Sequence, residues 1–148
     1  MNAELIRELQ AMRPQIRARW EALLRVERLH TPLANPDTLV YMFDHTLDQV
    51  LTSLPRGPVR STGPRLVCQS SANPMQVYFP ALEQALLEAL IHAQAGPPKP
   101  EGGKRRTVAG HAAAVTELRA TLRRIARREI AAFDKVCLPR PRKQAARP

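Results

Sequence analysis

The chain has 148 residues and sets 23 Lys and Arg against 13 Asp and Glu, a formal net charge of +10. That length suits one domain with its own core, and two cysteines are too few for a disulfide framework. The opening Met-Asn-Ala-Glu-Leu-Ile-Arg does not read as a signal peptide, and the most apolar stretch, Ala85 to Ala95, is interrupted by Glu88 and His92, so a membrane span is excluded and cytoplasmic residence is expected.

The charge is unevenly placed. Met1 to Leu54 carry six basic and seven acidic groups, Asn73 to Ala95 none and two, and Val108 to Cys137 six and three, so these segments sum to zero. The excess sits in Pro55 to Ala72 (+3), Gly96 to Thr107 (+3) and Leu138 to Pro148 (+4). Such segments attract polyanions through counterion release and serve equally as solubilising linkers. The last of them is expected to be a disordered basic tail behind a single domain spanning residues 1–137.

Four stretches repeat apolar residues at helical spacing. The first, Ala3 to Arg28, carries Leu5, Leu9, Met12, Ile16, Trp20, Leu23 and Leu24. Pro14 removes one backbone hydrogen bond from it, so the stretch either kinks or splits there. The second, Pro36 to Leu54, carries Leu39, Phe43, Leu47, Val50, Leu51 and Leu54.

The third, Pro74 to Ala95, carries Phe79, Leu82, Leu86, Leu90 and Ala93, widened by Leu87 and Ile91, with Pro80 as a second kink or restart. The fourth, Val108 to Cys137, carries Val115, Leu118, Leu122, Ile125, Phe133 and Val136. Asn35-Pro36 and Asn73-Pro74 read as caps followed by proline at the first helical position, and Thr107 as the cap of the last stretch. Gln76 would complete a capping box with Asn73. The fold expected is all-α, an up-down bundle of four amphipathic helices, or five if the first splits at Pro14.

No familiar catalytic or phosphate-binding signature is present, so no enzyme activity, metal or cofactor is expected. A di-iron bundle needs two Glu-x-x-His pairs, and the chain has one, Glu27 to His30. Of the four histidines, His45 falls opposite its apolar stripe, His92 one turn after Glu88, and His111 toward the stripe of the last helix.

Charged residues on apolar faces are more informative, because a buried carboxylate is costly unless paired. Glu129 projects between Leu118, Leu122 and Ile125, Glu83 between Leu87 and Leu90, and Arg13 close to Trp20. They form either an ion-pair layer with Arg13 or Arg17 that fixes helix register, or an effector pocket of Arg13, Trp20, Glu83 and Glu129 in the bundle core. The fourth helix also carries Arg119, Arg123 and Arg127, with Arg124 and Arg128 beside them. This run reads first as a solvated face and, in the alternative, as a stripe along a nucleic-acid backbone.

The order Ile16-Arg-Ala-Arg-Trp-Glu-Ala-Leu-Leu24, Pro32-Leu-Ala-Asn-Pro-Asp-Thr-Leu-Val40, Asn73-Pro74 with Tyr78-Phe79, Glu83-Gln-Ala-Leu-Leu-Glu-Ala-Leu90 and Ile125-Ala-Arg-Arg-Glu-Ile130 resembles the N-terminal helical domain named for the RsbRD co-antagonist of the bacterial stressosome. The resemblance covers nearly all of Met1 to Cys137. It implies a cytoplasmic sensory or regulatory domain in bacterial stress signalling, here in standalone form, passing its signal through a protein partner or an oligomer. Members often carry Cys-x-Cys-Gly just before Asn-Pro, whereas here Cys68 is followed by Gln69, Ser70 and Ser71. A homodimer through Leu87 and Ile91 is one expectation, and nucleic acid is the alternative partner.

Overall fold

The computed structural model describes residues 1–26, 36–54, 73–95 and 108–137. Five helices pack together without a strand among these residues: α1 (Ala3–Ala11), α2 (Arg13–Val26), α3 (Pro36–Ser53), α4 (Met75–Ala95) and α5 (Val108–Cys137). The first stretch thus splits, giving the five-helix form of the bundle among these residues. The break falls at Met12, two residues before Pro14.

The local hydrogen bonds explain that break. The Met12 amide closes α1 by donating to the Glu8 carbonyl at 3.0 Å, and the Ile16 amide opens α2 by donating to the Met12 carbonyl at 2.9 Å. Pro14 then stands in the first turn of α2, where a helix has no use for an N–H. At the other end of α1, the Asn2 side chain accepts from the Leu5 amide at 2.8 Å, a cap of about 1 kcal/mol. Pro80 acts differently. α4 runs unbroken through it, and its ring is exposed, so the Gln76 carbonyl that loses a donor lies on a partly solvated side.

α4 is the central helix, packed against α1, α2 and α5, while α3 bridges α2 and α5. Its sequence explains the position. Met75, Tyr78, Phe79, Ala81, Leu82, Ala85, Leu86, Ala89 and Leu90 are all buried, so the helix is apolar over most of its circumference and alanines admit neighbours closely. All five helices contribute to a single apolar cluster. The predicted stripes largely enter it, including five positions of α3 and Leu54 just beyond it, but Ile91 is 60% exposed and Val136 82% exposed.

Two pairs of helices run antiparallel. Between α2 and α3, Arg13 reaches Asp44 and Asp48, Arg17 reaches Asp44, and Arg25 reaches Asp37. Between α4 and α5, Asn73 meets Ile130 and Asp134 while Glu83 meets Arg119. No helix among the described residues is long and apolar enough to cross a membrane. The expected Asn35 and Thr107 caps, Cys68, His30 and the basic tail lie outside the described residues, as does the side chain of Cys137.

Candidate functional site

The four residues expected to line an effector pocket occupy separate environments. Arg13 lies on the surface between α2 and α3, its Nε 3.2 Å from Asp44 and its guanidinium 2.5 Å from Asp48, with a further bond to the Asp44 carbonyl at 3.1 Å. Arg17 completes this cluster through Glu21 and Asp44. Neither arginine meets Glu83 or Glu129. The expected ion-pair layer therefore gives way to separate pairs, several on the α2–α3 seam, one each on the α2–α4 and α4–α5 seams, and one within α5.

Glu83 accepts from Arg119 Nε at 3.0 Å across the α4–α5 seam, and Glu129 accepts from its neighbour Arg128 at 2.8 Å. Both carboxylates are only partly buried, with 24% and 29% of the side chain exposed. Glu83 lies at the margin of the apolar face of α4, where an arginine from solvent can still reach, whereas Glu129 lies in line with the buried stripe of α5 but near its end, where Ala132 and Val136 on the same side are exposed. Arg128 also donates to Gln49 at 2.9 Å, and Gln49 shares a 2.6 Å hydrogen bond with His45, so a polar chain runs over the α3–α5 seam.

On the far flank of α4, Glu88 receives a two-pronged bond from Arg19, at 2.6 and 2.9 Å, and a third from Gln84 at 3.1 Å. The Arg19 bond holds the Glu88 carboxyl below its usual range. Glu88 is thus engaged by Arg19 rather than by His92 alone.

Trp20 is fully buried and sits at the centre of an aromatic group. Its ring centroid lies 5.0 Å from Phe43 of α3 and 5.1 Å from Tyr78 of α4, and Tyr78 meets Phe79 edge-on at 5.1 Å. The indole N–H points at the Tyr78 carbonyl at 3.4 Å. The Tyr78 hydroxyl is buried without a well-formed hydrogen bond. It lies beside Thr46, whose own hydroxyl donates to the Met42 carbonyl at 2.9 Å. Burial pushes the Tyr78 phenol well above its ordinary range.

Sequence reasoning missed Tyr78, because Val77-Tyr78-Phe79 is a run in which periodicity does not single out the middle residue. It also missed half of Asn73. The expected cap is present, with the Asn73 side-chain oxygen accepting from the Met75 amide at 2.9 Å. The amide group of the same side chain, 3% exposed, donates to Asp134 at 2.7 Å and to the Ile130 carbonyl at 3.4 Å. One residue starts α4 and holds the last turns of α5.

The outer surface shows two further features. On α3, Tyr41 is 87% exposed and Met42 37%. On α5, Arg119, Arg123 and Arg128 are exposed and Arg124 and Arg127 partly so. His111 is half-buried near the start of α5, with its Nε2 buried and unpartnered. Among the described residues, no group of three or more His, Cys, Asp or Glu side chains is placed to hold a metal ion.

The class these features define is an all-α bundle, of five helices among the described residues, with an aromatic group at its centre and polar seams. Comparison with protein-family models, with curated proteins and with solved structures finds no match to the chain.

Proposed function

We propose that the chain is a non-catalytic, cytoplasmic regulatory module that acts by binding a protein partner, as its resemblance to the RsbRD-type sensory domain implies. The observation that carries this reading is Tyr41. It stands 87% exposed on α3, while Phe43 two residues on is fully buried. With Met42 it makes an apolar ridge on a helix whose charged side chains, Asp37, Asp44 and Asp48, are all acidic.

Exposed tyrosines of this kind supply contact area at small entropic cost and are enriched among residues that dominate binding. The complementary surface is an apolar pocket rimmed by Arg or Lys. An effector in the bundle core forms no part of the proposal, because Arg13, Trp20, Glu83 and Glu129 do not converge.

The test is titration calorimetry of the chain against the regulatory proteins encoded beside its gene. Tyr41→Ala should weaken the interaction about 30-fold, equivalent to about 2 kcal/mol. Unchanged affinity in a Tyr41→Ala, Met42→Ala double variant overturns the reading, as does failure of every neighbour to bind.

A further inference from the structure

Residues 1–95 carry nine basic and nine acidic side chains, and residues 96–148 carry fourteen and four. The entire excess of +10 therefore belongs to the later part of the chain, and α5 is its described portion. Ala114, Leu118, Leu122 and Ile125 turn one face of α5 into the core. At about 100° per residue, Arg119, Arg123 and Arg127 fall on the opposite side, with Arg124 and Arg128 along its flank.

The two ends of this run are anchored. Arg119 is held by Glu83 of α4, and Arg128 by Glu129 and by Gln49 of α3. Between them, Arg123 and Arg124 meet no carboxylate among the described residues, and Arg127 Nε donates to the Arg123 carbonyl at 3.2 Å. Of the other acids of α5, Glu117 pairs with the amino group of Met1 and Asp134 accepts from Asn73. Ala112, Ala113 and Thr116, also exposed, keep the rest of this surface low.

We infer that the outward face of α5 binds the phosphate backbone of double-stranded DNA. Arginines four residues apart rise in steps of about 6 Å along the helix, and each guanidinium presents a planar fork suited to phosphate oxygens. The low alanine profile fits the major groove of B-form DNA, which admits an α-helix, whereas the major groove of duplex RNA is too narrow. Single strands call for aromatic platforms, and the aromatic of α5, Phe133, packs against the core. A membrane surface calls for a free apolar face, which α5 uses within the bundle. Contacts to phosphate carry no sequence information, so binding is indifferent to sequence.

The test follows the anisotropy of a labelled random-sequence DNA duplex titrated with the full chain between about 50 and about 200 mM salt. The chain should bind and weaken steeply with salt. Replacing Arg123 and Arg124 by Gln should reduce the slope of log affinity against log salt by close to 2, because each phosphate neutralised on B-form DNA adds about 0.9 to it. Replacing the same two by Lys should preserve most of it, and Tyr41→Ala should leave it unchanged, which separates this surface from the proposed partner site.

Circular dichroism confirms that each variant keeps its helices. Four results overturn the inference: no binding at about 50 mM salt, a wild-type slope in the Gln variant, preference for single-stranded DNA or duplex RNA, or stronger capture by phosphatidylserine vesicles than by DNA.

Discussion

α4 and α5 lie side by side and antiparallel, joined through Asn73 at one level and Glu83 with Arg119 at another. Their surfaces are used in opposite ways. α4 buries nine side chains and carries only two charged ones, Glu83 and Glu88, each on a seam and each met by an arginine of a neighbouring helix. α5 buries a narrow stripe and turns five arginines outward. The difference teaches that the interior of this molecule is organised around one helix and its outward electrostatics around another, so stability and recognition are separable by mutation.

The sharpest way to break that separation is to truncate each helix where it is most characteristic. Leu86→Ala, at a fully buried position of α4, should cost about 2–5 kcal/mol in denaturant unfolding. Arg123→Gln on α5 should stay within about 0.5 kcal/mol. Comparable losses at the two sites would show that the α5 face is structural.

Asn73→Ala tests the joint itself. It removes the α4 cap and leaves Asp134 without that donor, and the expected loss is about 2 kcal/mol. Asn73→Asp keeps a capping oxygen but sets a second carboxylate against Asp134, so near neutral pH it should be no more stable than Asn73→Ala. Equal stability of all three would show that α4 and α5 are not tied there.

A third effect is of opposite sign. Tyr78→Phe deletes a buried hydroxyl that makes no well-formed hydrogen bond, and should stabilise by about 1 kcal/mol near neutral pH. The phenol ionises near 10 in the unfolded chain and higher in the folded one. Its contribution is therefore fully present below pH about 10 and lost as pH rises beyond that point. Chemical denaturation between neutral and alkaline pH should show a steeper alkaline loss in wild type than in Tyr78→Phe, and parallel curves would sink this account.

Proline and apolar spacing made the helices legible, and in α3 every apolar position of the stripe is buried, although Thr46, a polar residue beside it, is buried too. Pro14 announced a break but not its place, because the hydrogen bonds pass from Glu8 to Met12 to Ile16 and the proline only follows them. Glu83 stands at the edge of the apolar face in which it was placed, and Glu129 stands on the expected face of α5 but at a level that the other described helices no longer fully cover. A residue at the edge of an apolar face is buried or paired at the surface according to its neighbour helix, and sequence periodicity carries no information about that neighbour. Asn73 was readable as a cap within four residues, whereas its bond to Asp134 spans 61 positions. Ile91 and Val136 continue apolar stripes beyond the point where another helix covers them.

Trp20 is the only tryptophan in the chain, and it stands in edge and tilted contact with α3 and α4 at once. Selective excitation therefore reads one emitter, shielded from water in the folded state and moved into it on unfolding. The spectrum reports the junction of three helices and is blind to the outer face of α5. A ligand that settles on the arginines without disturbing the junction leaves the emission maximum in place, while one that pries α3 or α4 from Trp20 shifts it to longer wavelength.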